Sequence, residues 1–290
     1  MGVLINKKDR DPLTFFSFGG GRQSTALALL LIHYPRLFTE IGLTIPANIN
    51  FADTGAEPAP VYDHIERMQK LLEAAGYTFN ICRNLDKDGN FKPLDDINSR
   101  GSVPFFTKTP EGVGMLKRQC TNEFKIKPLT KAIRDCLGYR PRQKVKQHAK
   151  LWLGISIEES QRRSLNKSPW ITNVYPLIEL KMSASHCSAL GQHYLGYAPP
   201  KSACYFCPFT NHERWLSMRQ NDPLTFEKAV SFDRKIRDLS TFGKLDYPCF
   251  IHSSGTSLET AVLDQPFIPG LFHSSEVRGF LQECEGHCGV

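Results

Sequence analysis

The chain has 290 residues, of which 41% are hydrophobic and 22% are charged, so it can form a packed core and is not a disordered protein. It contains no run of 18 apolar residues, which excludes a typical membrane-spanning helix. The formal net charge of +7 favours an anionic partner, a nucleotide or a nucleic acid, although an ordinary surplus of surface lysines explains it equally well.

The first 85 residues alternate between strand-like and helix-like patterns, which predicts a parallel sheet with helical crossovers. Predicted strands cover 13–18, 44–51 and 77–82, and predicted helices cover 23–33 and 60–76. Further along the chain we predict a helix over 124–137, a strand over 150–155 and a helix over 224–239. Residues 86–114 are rich in Gly, Pro and polar residues and are predicted to form a long loop over the site.

The amino-terminal residues 1–12 are charged and contain no apolar stretch followed by a small-residue cleavage site. We therefore expect no signal peptide, a cytoplasmic protein and no membrane partner. Disulfides are rare in reducing compartments, so the nine cysteines suggest metal ligands or redox chemistry. The sequence leaves the oligomeric state open.

A glycine-rich turn joins the first predicted strand to the first predicted helix. Glycines allow close approach of the backbone to an anion, and the amides of a helix start bind phosphate oxygens. No lysine is present for a Walker loop, whereas a dinucleotide fingerprint would have Ser24 at its third glycine position and Asp53 on the ribose. An ordinary strand-to-helix turn is the remaining alternative. The turn reads Ser17-Phe18-Gly19-Gly20-Gly21-Arg22-Gln23-Ser24-Thr25.

Several further segments follow this turn in a characteristic order. They are Phe51-Ala52-Asp53-Thr54-Gly55-Ala56-Glu57, then Arg118-Gln119-Cys120-Thr121 with Lys125 and Pro128-Leu129, then Gly154-Ile155 with Glu159-Ser160 and Arg162-Arg163, and finally Cys204-Tyr205-Phe206-Cys207-Pro208-Phe209. Together with the glycine turn they resemble the PP-loop ATP-pyrophosphatase (adenine nucleotide alpha hydrolase-like) superfamily, and in particular its PAPS reductase-like branch. The resemblance covers about residues 13 to 215.

The resemblance implies an α/β fold with a Rossmann-like (HUP-type) parallel sheet flanked by helices and a cysteine-containing C-terminal region of helices and loops. It implies an adenine-nucleotide-binding domain over 1–175 and a cysteine-rich, metal-binding region over 176–290. Phosphate would be bound by the glycine turn, with Asp53 beside the nucleotide and basic side chains neutralising the anionic substrate; arginine matches phosphate oxygens bidentately. The residues implied are Ser17, Gly19, Gly20, Gly21, Gln23, Ser24 and Thr25 in the turn, and Arg118, Lys125, Arg162 and Arg163 as the cations.

The cysteines are a second candidate site. Two thiolates of a C-x-x-C turn can face one metal, so Cys204 and Cys207 are candidate ligands. The resemblance implies Cys120 as the third ligand, and Cys187, in a predicted helix that ends at Gly196, is our fourth. Four cysteines suit a [4Fe–4S] cluster or Zn²⁺, and the iron–sulfur clusters of some relatives favour the former.

The chain's last residues include Cys284, His287 and Cys288. In PAPS reductases a C-terminal Glu-Cys-Gly segment carries the nucleophilic cysteine, and Cys284 matches that pattern only in part because Glu285 follows it. A thiolate nucleophile, a metal or disulfide pair and a frayed end all remain open for this tail. Cys284 and Cys288 are also reserve metal ligands.

Three functions follow as hypotheses. The first is an ATP- and Mg²⁺-dependent enzyme that adenylates an acceptor, such as a nucleobase or a nucleic-acid phosphate, and supports sulfur transfer from a donor protein with the iron–sulfur cluster. Asp53, Arg118, Lys125 and Arg162 would act at its site. The second is a PAPS or APS reductase with Cys284 as nucleophile. The third is a non-enzymatic module that binds nucleotide and nucleic acid.

Overall fold

The computed structural model describes residues 10–96, 103–237 and 247–261. Its central sheet has five parallel strands in the order β3-β2-β1-β6-β7. This is the Rossmann order, in which the chain starts in the middle of the sheet, builds outward to one edge and then returns to the other side of β1. The α/β fold predicted from the sequence is therefore confirmed. The strands are Asp11–Ser17 (β1), Pro46–Asp53 (β2), Thr78–Arg83 (β3), Ala149–Leu153 (β6) and Ile171–Val174 (β7).

Helices cover both faces of this sheet because its strands alternate their apolar side chains between two cores. Phe16 belongs to the core beneath α1, α3 and α6, whereas its neighbour Phe15 packs with Ile133 of α4 on the opposite face. The helices are Arg22–His33 (α1), Arg36–Glu40 (α2), Ala59–Ala74 (α3), Lys127–Cys136 (α4), Pro176–Glu179 (α5) and Ala184–Leu195 (α6), which ends at Gly196 in the left-handed conformation. A π-helical turn at Asn122–Ile126 precedes α4.

A second, smaller layer contains a three-stranded antiparallel sheet in the order β5-β4-β8. Its strands are Phe106–Thr109 (β4), Gly112–Met115 (β5) and Cys249–Phe250 (β8), and two helices, His212–Asn221 (α7) and Pro223–Ile236 (α8), pack beside it. The prediction of a continuous loop over 86–114 is wrong here. These four-residue strands carry no strong sequence signal, and β4 is stabilised by pairing with residues about 140 positions away.

A separate core, which we call the second core, joins this layer to the loops of the main sheet. Phe105 and Phe124 pack there with Phe206, Trp215 and Phe232. Residues on both sides of the predicted 175/176 boundary thus contribute to one core, and the two-domain division stays a prediction. Among the described residues no helix combines the length and apolar character needed to cross a bilayer.

Candidate functional site

The glycine turn lies at the carboxyl end of β1, between β2 and β6. Ser17 is in register with Asn50 of β2 and with Leu153 of β6. Because the chain leaves β1 for β2 on one side and reaches β6 only later on the other, this is the topological switch point of the sheet, where ligands of open α/β sheets bind. The turn that was predicted to bind phosphate therefore lies at this switch point.

The turn is closed by its own residues. Gly20 has a φ of +73°, which a residue with a side chain adopts only with strain, and a Cβ there would lie 3.1 Å from Ile65. The Ser24 hydroxyl accepts from the Gly21 amide at 3.2 Å and donates to the Gly21 carbonyl at 3.1 Å. Gly19 is half-buried beside it. The backbone at the start of α1, next to Arg22, is thus held by hydrogen bonds within the turn.

Thr25 differs from the other residues of the turn. Its hydroxyl lies 2.8 Å from His64 Nε2, and His64 Nδ1 lies 2.9 Å from the Tyr197 hydroxyl. Thr25 is fully buried, so this hydrogen bond joins α1 to α3. The geometry favours a packing role for Thr25, and its contact with phosphate stays a prediction.

Gly154 supports the helix start from the next strand. An added Cβ at Gly154 would lie 2.9 Å from the Ser24 amide nitrogen and 3.0 Å from Ser24 Cα, closer than side chains tolerate. The absence of a side chain at this position is what lets β6 approach α1. Sequence analysis quoted Gly154 only as part of a motif, and its steric role depends on the packing of two distant segments.

The Glu159-to-Arg163 segment lies at the mouth of the turn. Gln23 Nε2 donates to Glu159 Oε2 at 3.3 Å, and Arg162 Nη1 donates to Glu159 Oε1 at 2.7 Å. The Glu159 carboxylate therefore binds two side chains that were predicted to bind phosphate. Arg163 is exposed and donates to the Ser160 carbonyl at 3.2 Å. Glu159 itself was missed as a site residue, although its motif was recognised.

The Asp53 side chain is bonded to other residues of the protein. Its Oδ1 accepts from the Gly55 amide and the Tyr62 hydroxyl, both at 2.9 Å, and its Oδ2 pairs with Arg83 Nε at 2.8 Å. Burial and the neighbouring Asp53 raise the pKa of Tyr62. Because the Asp53 side chain is 4% exposed and has three partners, the geometry favours a positioning role for Asp53 in the turn after β2. Its direct contact with nucleotide stays a prediction.

Glu57 connects three of the recognised segments. Its carboxylate lies 3.7 Å from Lys125 Nζ and accepts from the Ser202 hydroxyl at 3.2 Å. The Ser202 backbone in turn lies beside Gly21, at 3.8 Å from the position of an added Cβ. Lys125 is therefore held beside Glu57 in the segment that follows β2, and its contact with an anionic substrate stays a prediction.

The Cys204-to-Cys207 turn packs against the same edge. The Cys207 amide donates to the Cys204 carbonyl at 3.0 Å, and the Tyr205 amide donates to the Ala56 carbonyl at 2.9 Å. Cys204 Sγ lies 3.9 Å from the Thr54 hydroxyl. Between the cysteines, Phe206 stacks on Phe232 in the second core with ring centroids 3.9 Å apart, which fixes the turn.

The predicted set of four cysteine ligands is not assembled. Cys187 is fully buried on the face of α6 that packs against α1, and burial raises the pKa of its thiol to about 12. Cys120 and Cys204 instead contact the second core. Among the described residues no group of three or more His, Cys, Asp or Glu side chains is arranged to hold a metal ion.

By themselves, the residues that the structure describes therefore do not form a site for a [4Fe–4S] cluster or Zn²⁺. Cys187 is turned toward the core because this side of α6 packs against α1. Mg²⁺ is usually bound by one or two carboxylates together with substrate phosphates, so it stays a prediction that depends on bound nucleotide. Cys284, His287 and Cys288 lie outside the described residues.

A small pocket lies beside Cys207. Arg214 Nη2 donates to the Lys201 carbonyl at 3.1 Å, and the Arg118 guanidinium lies 5.0 Å from the centre of the Phe209 ring. Two cations that the sequence analysis did not single out, Lys201 and Arg214, thus flank the C-x-x-C turn. The lining residues are Lys201, Ala203, Cys207, Phe209, Thr210, Asn211 and Arg214.

Strand order and the place of the glycine turn define an α/β protein with a Rossmann-type sheet. A scan against protein-family models and a search of curated proteins found no match. Among solved structures, the chain is similar to a crystal structure of phosphoadenylyl-sulfate (PAPS) reductase from Candida auris in complex with phosphate. The two share 12% identity with a TM-score of 0.41, over 65% of this chain and 76% of that one.

Proposed function

We propose that this protein is an enzyme of the PP-loop type that binds ATP at the glycine turn and transfers its adenylyl group to an acceptor. The observation that carries the proposal is the meeting of three segments at the switch point: the glycine turn, Gly154 beneath Ser24, and Glu159 holding Gln23 and Arg162 at the mouth. Preformed amides and a positive helix end suit a phosphate chain.

The chemistry proposed is nucleophilic substitution at phosphorus. An acceptor oxygen forms a bond to the α-phosphorus, the bond from that phosphorus to the bridging oxygen breaks, and pyrophosphate leaves with its electron pair. Arg162 would leave Glu159 to bind the phosphates, since a guanidinium binds a phosphate bidentately. Lys125, 11% exposed beside Glu57, supplies a second cation at this edge.

The test is a calorimetric panel of ATP, ADP, AMP, APS and PAPS, followed by an assay for acceptor-dependent pyrophosphate release. We expect ATP to bind with a Kd of about 1 μM to 1 mM, the usual range for enzyme substrates. Absence of heat with every adenine nucleotide would remove the proposal. Binding without pyrophosphate release from any acceptor would instead support the non-enzymatic module.

The reductase alternative depends on Cys284, which lies outside the described residues. It predicts thiol-dependent sulfite release from PAPS or APS that is lost in Cys284→Ser. Sulfur transfer from a donor protein through an iron–sulfur cluster is not part of our proposal, because the described cysteines do not form a ligand set.

A further inference from the structure

The positive charge of this protein is concentrated between residues 125 and 150. This segment contains nine lysines and arginines and one acidic residue, so its net charge of +8 (nine minus one) exceeds the +7 of the whole chain. The rest of the molecule is therefore close to neutral. A surplus of lysines spread over the surface does not describe this distribution, whereas one basic face does.

The first part of the face is one side of α4. Lys127, Lys131 and Arg134 are spaced by four and three residues, which puts them on the same side of the helix. The opposite side carries Leu129 and Ile133, which are buried against the sheet. Lys131 forms an exposed ion pair with Asp135 at 3.2 Å. Such a pair is weak, so this side of α4 keeps its positive charge.

The second part of the face is the loop between α4 and β6. Arg134 Nη1 donates to the Gln143 carbonyl at 2.7 Å, and Gln143 Oε1 accepts from the Arg140 amide at 3.0 Å. The Tyr139 hydroxyl accepts from the Lys146 amide at 3.2 Å. These bonds hold the loop through Arg134, Gln143 and Tyr139, and they do not involve the charged ends of the loop's own arginines and lysines. Its exposed cations are Arg140, Arg142, Lys144 and Lys146.

Arg142 is held in an unusual conformation. Its φ is +67°, in the left-handed region that normally favours glycine or asparagine. This conformation belongs to the tight turn at 140–143, in which the Gln143 amide donates to the Arg140 carbonyl at 3.1 Å, and Arg142 is exposed there. Lys150 does not belong to this face, because its ammonium donates to the Thr44 hydroxyl at 3.3 Å.

We propose that this basic face binds the sugar–phosphate backbone of a nucleic acid. We define it by Lys127, Lys131, Arg140, Arg142, Lys144 and Lys146. A row of exposed cations fits a polyanion with regularly spaced phosphates better than a single small anion. The face extends about 15 Å along the ten-residue helix and then continues into the loop.

The direction of the face connects it to the candidate site. The turn before α4 holds Lys125 beside Glu57 at the carboxyl edge of the sheet, whereas the loop after α4 enters β6 at the opposite edge. A strand bound along α4 would therefore have one end toward the carboxyl edge of the sheet, where Lys125 and Glu57 lie. Binding to the face stands without the proposed function, but use of the nucleic acid as adenylyl acceptor rests on it.

The test compares two variants with equal charge change in the full chain. The face variant carries Arg140→Gln, Arg142→Gln, Lys144→Gln and Lys146→Gln. The control carries Arg36→Gln, Lys87→Gln, Lys228→Gln and Lys235→Gln, all exposed cations outside the face. Fluorescence anisotropy measures binding of labelled 30-nucleotide DNA and RNA, single- and double-stranded, from 50 to 300 mM salt. Calorimetry with ATP is run on each variant.

We expect the wild type and the control to bind at least one of the four nucleic acids, with a strongly salt-dependent Kd. The face variant should bind at least tenfold more weakly at 100 mM salt, and its log–log salt slope should be smaller by about 3, since each phosphate contact contributes about 0.7 to 0.9. Lys127→Gln with Lys131→Gln is a second, smaller variant for which we expect a slope smaller by about 1.5.

Absence of binding to all four nucleic acids at 50 mM salt overturns the inference, and so does an equal loss in the face variant and the control. If the wild type binds nucleic acid but gives no heat of binding with ATP, the proposed function is wrong and the inference about the basic face stands. If the wild type binds ATP but no nucleic acid, the inference about the basic face is wrong and the proposed function stands. Circular dichroism of each variant verifies that it is folded.

Discussion

Gly154 at the end of β6 lies directly against the backbone of Ser24 in the first turn of α1. A Cβ at Gly154 would lie 2.9 Å from the Ser24 nitrogen, so any side chain has to push the helix start away from β6. The relationship joins two segments that are 130 positions apart in the chain, and it sets the position of the amides on which the proposed function depends.

Replacing this glycine should weaken nucleotide binding. We expect Gly154→Ala to raise the Kd for ATP about tenfold, or about 1.4 kcal/mol, because displaced amides no longer match the phosphate. Isothermal titration calorimetry measures the effect. Gly114→Ala in β5 is the control, since a Cβ there would lie 3.4 Å from the Thr107 hydroxyl. Equal affinity of Gly154→Ala and wild type would show that Gly154 does not set the phosphate geometry.

Arg162 should bind nucleotide more than it stabilises the fold. Its pair with Glu159 is partly solvated, with 24% of the arginine side chain exposed, so such a pair contributes only about 1 kcal/mol or less to folding. We expect Arg162→Gln to raise the Kd for ATP by about ten- to hundredfold, the loss of a charge-assisted pair. Arg162→Lys should recover part of the affinity, and Arg36→Gln on α2 is the control. A large drop in unfolding free energy with unchanged Kd would contradict this role.

Two buried histidines should make stability depend on pH. Burial, with a smaller effect of Arg67, lowers the pKa of His64 to about 4, and burial with His212 lowers that of His252 to about 4. In the unfolded chain both titrate near 6.5. Between these values the unfolded chain binds more protons, so the stability present above about pH 6.5 is lost as the pH falls toward 4.

From pH 7 to pH 5 we expect the free energy of unfolding to fall by about 2 kcal/mol for each of these histidines. Urea unfolding at both pH values measures the total. His64→Gln should reduce the loss by about 2 kcal/mol, and His148→Gln, at an exposed histidine, is the control. The same loss in His64→Gln as in the wild type would mean that His64 is not the titrating group.

Asp233 should be critical for the second core. Its carboxylate is fully buried on α8, pairs with Arg237 and accepts from the Ile251 amide at 2.9 Å and the Leu258 amide at 3.0 Å. Asp233→Ala leaves these donors unpaired, so we expect a loss of about 3 to 5 kcal/mol in urea unfolding. Asp63→Ala, an exposed aspartate on α3, is the control. A loss below about 1 kcal/mol would contradict the proposed anchoring role.

Cys187 should behave as a core residue. Because it is fully buried and burial raises its pKa to about 12, we expect no alkylation by iodoacetamide in the native protein, while the exposed Cys136 reacts. Mass spectrometry of tryptic peptides measures both. Metal content after anaerobic purification should be equal in Cys187→Ala and the wild type. Loss of bound metal in that variant would restore Cys187 as a ligand.

Much of the fold could be read from the sequence because its signals are local. The three strands and two longer helices of the first 85 residues were predicted within about two residues of their observed ends, since apolar periodicity and glycine stops act over a few positions, whereas the five-residue helix α2 was missed. The short strands β4, β5 and β8 could not be predicted in this way. They have two to four residues each, and the pairing of β4 with β8 joins segments about 140 positions apart, which leaves little trace in so few residues.

The sequence alone determined the parallel order of strand and helix and the glycine turn at the end of β1, because turn geometry and buried strands follow from neighbouring residues. Tertiary structure alone decided which side chains face that turn. In the folded chain Asp53 binds Arg83 and Tyr62, and Thr25 binds His64. Glu159 binds Gln23 and Arg162. Tertiary structure also buried Cys187 in the core beneath α1, α3 and α6, whereas Cys120 and Cys204 contact the second core. Partners of this kind are chosen when distant segments pack, and each polar group then binds whichever neighbour packing brings within hydrogen-bonding distance.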